Sequence, residues 1–437
     1  MSQAIRAAAL DAAQPPTGQP SLYGRITRRL VPLLFLTYTA AYIDRVNVGF
    51  AKLQMLGSLG FSEAVYGLGA GIFFIGYFLF EVPSNIILHR VGARRWIALI
   101  VLLWSVCSFS TIFVRTPGLY YLLRFALGAA EAGLFPGIIL YLTYWYPPSL
   151  RGKVVSLFMT GIPVSGLIGG PLSGWILHAM SGRFGVAGWQ WLFIIEAIPS
   201  LVMGGAIFLL LDDYPTQARW LTPAERDEVA RRIAAEREQA VGHSMREGFT
   251  SRIVWLMSAT YLCFTAGLYA VGFWLPTLIK DTGVRDPLRI GLLSALPYLA
   301  ATVAMILVGR SSDRRRERRW HVTLPALIGM AGWVLSVRYE HDVVLGVLGL
   351  TVATMGVMTT VSQFWCLPTG VLSGAAAAVG VAMINSLGNL SGFAVPYLIG
   401  VVVDVTKSTD LAVYTLGGII VLGGLLVLLI PRARVNR

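Results

Sequence analysis

The chain has 437 residues, of which 56% are hydrophobic and only 13% are charged. A soluble globular chain is about one quarter charged, so this composition excludes an ordinary soluble enzyme. The net charge of +13 does not point to nucleic acid, because the basic residues gather in short loops on one side of a predicted helical array.

Residues 1–24 are rich in Ala, Pro and Gln and lack the apolar centre of a signal peptide, so a disordered cytoplasmic tail is expected. Apolar runs then recur at 29–51, 64–88, 95–114, 118–145, 152–179 and 189–211. Each is about long enough to cross a bilayer as a helix. Residues 212–252 are the one long polar interruption. Six more runs follow at 253–280, 288–309, 321–337, 343–366, 376–403 and 411–430. The expected fold class is an all-α polytopic membrane protein. Its twelve transmembrane helices form two six-helix halves, residues 25–211 and 253–431, with a short cytoplasmic tail at 432–437. Twelve crossings place both termini on one side. Arg28, Arg29, Arg90, Arg94, Arg95, Arg151, Arg310, Arg314, Arg315 and Arg316 fall on that side, and the opposite loops carry far fewer basic residues. Basic short loops mark the cytoplasm. Both termini are therefore expected there, in a bacterial inner membrane.

Within the interruption, "LTPAERDEVARRIAAERE" reads as a surface helix that tethers the halves. Thr222 is a good N-cap, Pro223 occupies the first helical position and Glu225 completes a capping box. Cys107, Cys263 and Cys366 lie in apolar segments with no disulfide or metal spacing. No H-E-x-x-H, dinucleotide or Walker pattern occurs, so no cofactor or metal is expected, and energy would come from an ion gradient. No nucleophile–base pair can be assembled, which argues against an enzyme.

The halves echo each other. "NIILHRVGARR" (85–95) follows the second helix and "GRSSDRRRERR" (309–319) follows the eighth. Parallel six-helix repeats with a site between them are a transporter layout. The second loop is similar to the G-x-x-x-D-R-x-G-R-R signature of the major facilitator superfamily, matching at Gly309, Asp313 and Arg314. The first keeps Arg90, Gly92 and Arg94 or Arg95 but has His89 where an acid stands in the signature. These positions imply a cytoplasmic gating motif. "GIPVSGLIGGPLSGW" (161–175) resembles the Gly/Pro-rich fifth helix of the superfamily. Its Gly166, Gly170 and Gly174, four apart, allow close helix approach. Together with "YIDR" and "FWCLPTGVLSG" (364–374), "RFALGAAEAG" (124–133) resembles the anion:cation symporter family within that superfamily. Its members include proton-linked carriers of tartrate, phthalate, 4-hydroxyphenylacetate and sugar acids.

Four charges lie inside predicted helices of the first half. At 1.5 Å per residue, Asp44, Arg45 and Arg124 lie at similar depth, and Glu131 shares a face with Arg124 seven residues earlier. An intramembrane charge costs at least ~2.5–3.5 kcal/mol and usually faces a polar pathway. Two arginines compensated by two acids make a switchable anion site. Protonating Asp44 or Glu131 would free an arginine for a substrate carboxylate. The resemblance implies the same two acids as proton carriers. It also implies that Tyr42 and Tyr77 line the site with Arg45 and Arg124. The second half offers Ser362, Gln363 and Trp365 in its fourth helix and Asn385 and Asn389, one turn apart, in its fifth, with Asn385 favoured over Asn389. Tyr261, Tyr269 and Trp274 are lid candidates. Glu81, Glu196 and Asp404 read as pairing, bracing and interfacial acids. Ile162 and Phe364 place apolar groups near the expected site, which favours an aromatic acid or small dicarboxylate over a sugar acid. The expected function is proton-coupled import of an organic carboxylate by alternating access, with the small anion, protons and the bilayer as partners and a monomer as the unit. An antiporter or efflux carrier, or a non-transporting receptor, remains an alternative.

Overall fold

The computed structural model describes residues 21–238, 251–371 and 374–435. Among these residues, eleven helices are long and apolar enough to cross a bilayer. The first span makes twelve; Asp44 and Arg45 dilute its hydropathy, and it is interrupted at Asn47. In the first half, α1 (Leu22–Val46) and α2 (Val48–Leu59) form span one, and α3 (Glu63–Val91) and α4 (Ala93–Ser110) are spans two and three. Span four is α5 (Pro117–Glu131) with α6 (Leu134–Trp145), span five is α7 (Pro148–Met159) with α8 (Gly161–Ala179), and span six is α9 (Gly188–Leu210). The polar interruption contains α10 (Pro223–Glu238). Spans seven to twelve begin with α11 (Arg252–Asp281), α12 (Pro287–Arg315) and α13 (Arg319–Arg338). They continue with α14 (Val343–Phe364) and its short extension α15 (Cys366–Val371), then α16 (Gly374–Thr406) and α17 (Asp410–Leu428); α18 (Arg432–Val435) closes the chain.

Three of the interrupted spans share one cause. Proline has no N–H to bond the carbonyl four residues back. Pro136, Pro163 and Pro368 deprive Ala132, Met159 and Phe364 of that bond, and the helices break at those points. The break after Glu131 therefore lies beside a functional candidate. The first helix starts at Leu22, seven residues before the apolar run at 29. Ser21 caps it by accepting from the Gly24 N–H at 3.2 Å, and its first turns carry Arg25 and Arg28, which the apolar run beginning at 29 leaves out. The tail before residue 21 lies outside the described residues.

The expected capping box forms: Glu225 N–H donates to Thr222 Oγ1, and Thr222 N–H donates to Glu225 Oε2 at 2.9 Å. The helix is docked rather than loose. Trp220 stacks on Trp145 with rings 5.9 Å apart and nearly parallel, its indole N–H donates to Asp212 at 2.8 Å, and Arg29 lies over it at 5.0 Å. Arg25 pairs with Glu225. The interruption thus belongs to the first half up to residue 238, and 239–250 lie outside the described residues.

The two halves meet mainly at the end away from the termini, called here the distal end. Cβ atoms added at Gly67 and Gly71 of α3 would meet the backbone of Pro396 and Phe393 in α16, and one added at Gly291 of α12 would meet that of Gly170 in α8. Lys52 pairs with Glu63 at 2.7 Å and lies 3.5 Å over the Trp274 ring. Tyr66 donates to the Phe273 carbonyl at 2.8 Å. Asp404 accepts from Glu63 N–H at 3.1 Å and Ala64 N–H at 2.8 Å. His178 meets Asp286 at 2.8 Å. At the terminal end a cleft of about 530 Å³ separates α3 from α16, lined by Glu81, Asn85, His89, Arg90 and Ser386. This conformation is closed distally and open toward the termini.

Candidate functional site

The fold brings three of the four charges together and turns the fourth away. Arg45 reaches from α1 to Glu131 at the end of α5, donating from Nε at 3.1 Å and Nη2 at 2.7 Å, both to Oε2. Glu131 is fully buried and its Oε1 has no partner. The Arg45 guanidinium lies 5.5 Å from the Tyr42 ring, 5.1 Å from Phe73 and 5.2 Å from Tyr77. Aromatic faces attract cations, so these rings hold the charge where a buried arginine would otherwise lack water. Phe73 and Tyr77 are four apart on α3 and share a face, so the expectation at Tyr77 could have been extended to Phe73 by helical spacing.

Arg124 has no carboxylate partner. Its Nε and Nη2 make long contacts of 3.4 Å to the carbonyls of Gly69 and Arg45. Its guanidinium stands 5.1 Å from the Phe73 ring, and Nη1 is buried with no hydrogen-bond partner among the described residues. The closeness to the Arg45 backbone agrees with the similar depth read from the sequence. The Phe73 segment lies close enough for this because Gly128, one turn after Arg124, faces the Phe73 backbone with no room for a Cβ.

Asp44 corrects the expected four-charge cluster. Neighbouring residues on a helix diverge by about 100°, so Asp44 points away from the site that Arg45 enters. Ser108 of α4 donates to its Oδ1 at 2.8 Å and Ser200 of α9 to its Oδ2 at 2.5 Å. It has no ion-pair partner among the described residues. Asp44 and Arg45 are therefore not the two signs of one pair, and the site is compensated only at Arg45.

From the second half, Tyr269 of α11 comes closest. It packs on Phe74 with ring centroids 4.4 Å apart, lies within electrostatic reach of Arg45, Tyr42 and Tyr77, and donates to Asn389 Oδ1 at 2.7 Å. Asn389, not Asn385, is thus the asparagine tied to the site; Asn385 and Ser386 lie by Glu81, toward the terminal cleft. Four residues turn a helix by about one turn, 6 Å along the axis, which is enough to move a side chain from the site to the cleft. Trp365 donates to Tyr261 at 3.3 Å, and Tyr261 stacks on the fully buried Phe364 at 4.9 Å. Ser362 is half-buried and joins no hydrogen bond among the described residues. Gln363 is buried with an unpartnered Oε1 and faces Gly309. Trp274 is a distal contact rather than a part of this site.

The loop motifs are anchored locally. Gly92 has φ of +96°, and a Cβ there would meet the Asp213 carboxylate. Arg94 N–H donates to Asp213 Oδ1 at 2.8 Å, and Arg94 Nε donates to the Phe208 carbonyl. Asp213, just beyond α9, thus supplies the acid that the loop lacks at His89, which meets Tyr144 instead at 2.9 Å. In the second loop Asp313 pairs with Arg318 at 2.6 Å; Arg90 lines the cleft and Arg314 is exposed. No metal-binding group of three His, Cys, Asp or Glu occurs among the described residues.

Residues 34–396 match the Major Facilitator Superfamily. The chain is 46% identical over 422 residues to a Pseudomonas putida protein named for metabolite transport, NicT, covering 96% of this chain and 97% of that one. It is 43% identical over 411 residues to an Agrobacterium vitis protein named as a tartrate transporter, covering 94% and 91%. A quinolone resistance transporter of Acinetobacter baumannii is 37% identical over 415 residues, covering 94% and 95%. The fold matches a bacterial homolog of the human lysosomal transporter Spinster, solved inward-facing and unoccupied, with a TM-score of 0.70, 15% identity and coverage of 94% and 96%.

Proposed function

This chain belongs to the Major Facilitator Superfamily, a family of transporters and not of enzymes, and we propose that it is a proton-coupled symporter that imports an organic carboxylate by alternating access. The observation that carries this reading is the buried Arg45–Glu131 pair under the rings of Tyr42, Phe73 and Tyr77. While Glu131 is ionised, Arg45 is neutralised. A proton on Glu131 removes that compensation and leaves Arg45 to donate charge-assisted hydrogen bonds to a substrate carboxylate. Proton and anion then favour each other's binding, and the coupling is reciprocal. Arg124, buried and unneutralised, adds to the positive field that an anion meets. Asp44 contributes a second proton site, coupled to Arg45 through the backbone of α1 rather than by direct contact. Tyr42, Tyr77, Tyr269 and Asn389 supply the neutral lining, with Trp365 and Tyr261 on the wall of the second half. The terminal cleft is the cytoplasmic mouth, both termini lie in the cytoplasm, and the unit is a monomer in the inner membrane.

The density of aromatic rings around Arg45 favours an aromatic acid or a small dicarboxylate over a sugar acid. The relative named for tartrate is in keeping with the small dicarboxylate. A second reading, export against protons, is favoured by the relative named for quinolone resistance.

Uptake into proteoliposomes under an inward proton gradient tests these readings, with phthalate, 4-hydroxyphenylacetate, tartrate and a sugar acid as substrates. Wild type is expected to accumulate one acid and to alkalinise the outside. Glu131→Gln is expected to lose gradient-driven accumulation while retaining exchange of labelled for unlabelled substrate. Acidification outside on adding substrate would favour export, and accumulation by Glu131→Gln equal to wild type would remove the proton role from that residue.

A further inference from the structure

Asp44 is not the only buried acid without a cation. Glu196 of α9 is 1% exposed and has no ion-pair partner among the described residues. Ser173 of α8 donates to its Oε1 at 2.6 Å, and its buried Oε2 makes no hydrogen bond of ordinary geometry among the described residues. Two features join it to Asp44. Ser200, which donates to Asp44, follows Glu196 by four residues on α9 and so sits one turn along the same face. Asp44 is also the ionisable group within electrostatic reach of Glu196, and Asn47, one turn after Asp44, lies beside it. The Asn47 amide is itself buried with neither its nitrogen nor its oxygen bonded.

Beyond these groups lies an enclosed space. A cavity of about 20 Å³ is lined by Asn47, Ser173, Ser165, Ser294, Tyr298 and the glycines of α8. One water needs roughly 10–15 Å³ and two to four polar partners. The cavity has room for one water within a mostly apolar wall that includes Ile43, Phe50 and Leu275, and two of its polar lining residues, Asn47 and Ser173, are the neighbours of Glu196. Along α9 and α1, Glu196 and Asn47 lie on the distal side of Ser200 and Asp44. The cavity wall runs from Ile43 to Phe50 along span one and from Ser165 to Ser173 along α8, so it spans the depth of both acids.

We propose that Glu196 is a proton-transfer residue that loads Asp44 from a water held in the Asn47–Ser173 cavity. The inference rests on the proton-coupled reading above and adds a residue to it. In the transfer, protonated Glu196 gives its proton to the Asp44 carboxylate, becoming a carboxylate as Asp44 becomes an acid. Its Oε2 then takes a proton from hydronium in the cavity, which is left as water. The polar groups facing the pair are neutral: Ser173 from α8, Asn47 from the α1–α2 junction, Ser108 and the Trp104 indole from α4, and Ser200 on α9. Among the described residues, Glu131 is a charge within electrostatic reach of Asp44, and it is paired with Arg45, the neighbour of Asp44 in sequence. A carboxylate in hydrocarbon without a cation is strongly disfavoured, so a pair of acids so placed passes a proton rather than two charges.

Infrared spectroscopy of the purified protein at neutral pH tests the first half of the proposal without any substrate. Wild type is expected to show a protonated carboxyl C=O band that Glu196→Gln removes and Ser173→Ala shifts, since that variant keeps the acid and deletes its hydrogen bond. No band sensitive to Glu196→Gln would overturn the proposal. Proteoliposome accumulation under a one-unit pH gradient tests the second half. One coupled proton is worth about tenfold in accumulation per pH unit. Glu196→Gln and Asp44→Asn are each expected to lose about that factor and no more when combined, with an unchanged elution profile and helical circular-dichroism spectrum as the check on folding. Wild-type accumulation in Glu196→Gln, with its band gone, would make Glu196 a structural acid and overturn the relay. Wild type that carries the band yet accumulates no acid would overturn symport, and the relay with it, which separates the two failures.

Discussion

Arg45 shows how much one side chain is asked to do in this membrane. It meets an acid directly, and it makes both of its bonds to one oxygen of Glu131. It also contacts three aromatic rings. Lysine carries the same charge but has neither the planar fork nor the stacking surface. Arg45→Lys is therefore expected to fold and to keep its ion pair, yet to lose substrate affinity. Two charge-assisted hydrogen bonds reduced to one costs about 1.5–3 kcal/mol, or roughly a ten- to hundredfold rise in KM in the uptake assay. An unchanged KM would place the carboxylate on another group, Arg124 being the next candidate. Depth along the helices, read from residue spacing, put Arg45, Arg124 and Glu131 within reach of one another, and they are. Direction around α1 was the missing variable. Asp44 and Arg45 are adjacent in the chain, so they leave the helix on different faces, and only the packing of α4 and α9 shows which face Asp44 meets.

At the scale of elements, prolines and glycines decide where spans break and where they touch. Pro136, Pro163 and Pro368 lie where helices break at the carbonyls they leave unbonded, whereas Pro83, Pro199 and Pro297 lie within helices that continue through them, so which prolines break a span is settled by packing. Gly170, Gly174 and Gly291 let α8 and α12 meet backbone to backbone at the distal end. The expected close approach of the glycines in 161–175 is realised, but the partner helix across the halves was not legible, because spacing by four describes one surface and says nothing of what covers it. Gly166 meets the ring of Tyr298 rather than a backbone. Gly291→Ala would place a methyl against the Gly170 carbonyl. Overpacking of this kind costs about 1–3 kcal/mol, all of it charged to the distally closed state. The closed-to-open ratio is expected to fall at least about fivefold, read as faster labelling of a single distal cysteine introduced after the three native ones are removed. Gly418, which a Cβ would leave without contact, is the control position.

For the whole molecule, alternating access requires the distal closure to be strong enough to form and weak enough to open. Lys52 is the centre of that closure. It is 4% exposed, paired with Glu63 at 2.7 Å and seated on Trp274 of the other half. Removing one member of a buried pair leaves a bare charge, and it costs 3–5 kcal/mol when both are fully buried. Glu63 is partly exposed, so Glu63→Gln is expected to cost roughly 2–3 kcal/mol on that scale. The cost falls on the closed form, because Lys52 regains water when the distal end opens. Distance measurements between spin labels on α2 and α11 should show the distally open population rising in Glu63→Gln and the terminal cleft closing with it. An unaltered distance distribution would mean that the glycine contacts alone set the equilibrium.

Local rules along the chain account for the order and extent of its segments. Apolar length gives the spans, the polar interruption gives the two halves, and the capping residues Thr222 and Glu225 give the surface helix. The cost of an intramembrane charge marks Asp44, Arg45, Arg124 and Glu131 as residues that need an explanation. Only the tertiary structure decided who meets whom. It paired Arg45 with Glu131, left Arg124 without an acid and gave Asp44 to two serines. It also chose Asn389 over Asn385, tied Gly92 and Arg94 to Asp213, and closed the distal end over Lys52. The physical reason is that each contact depends on the rotation of one helix against another. Rotation is fixed by side chains far apart in the chain and leaves no trace in the spacing along either helix.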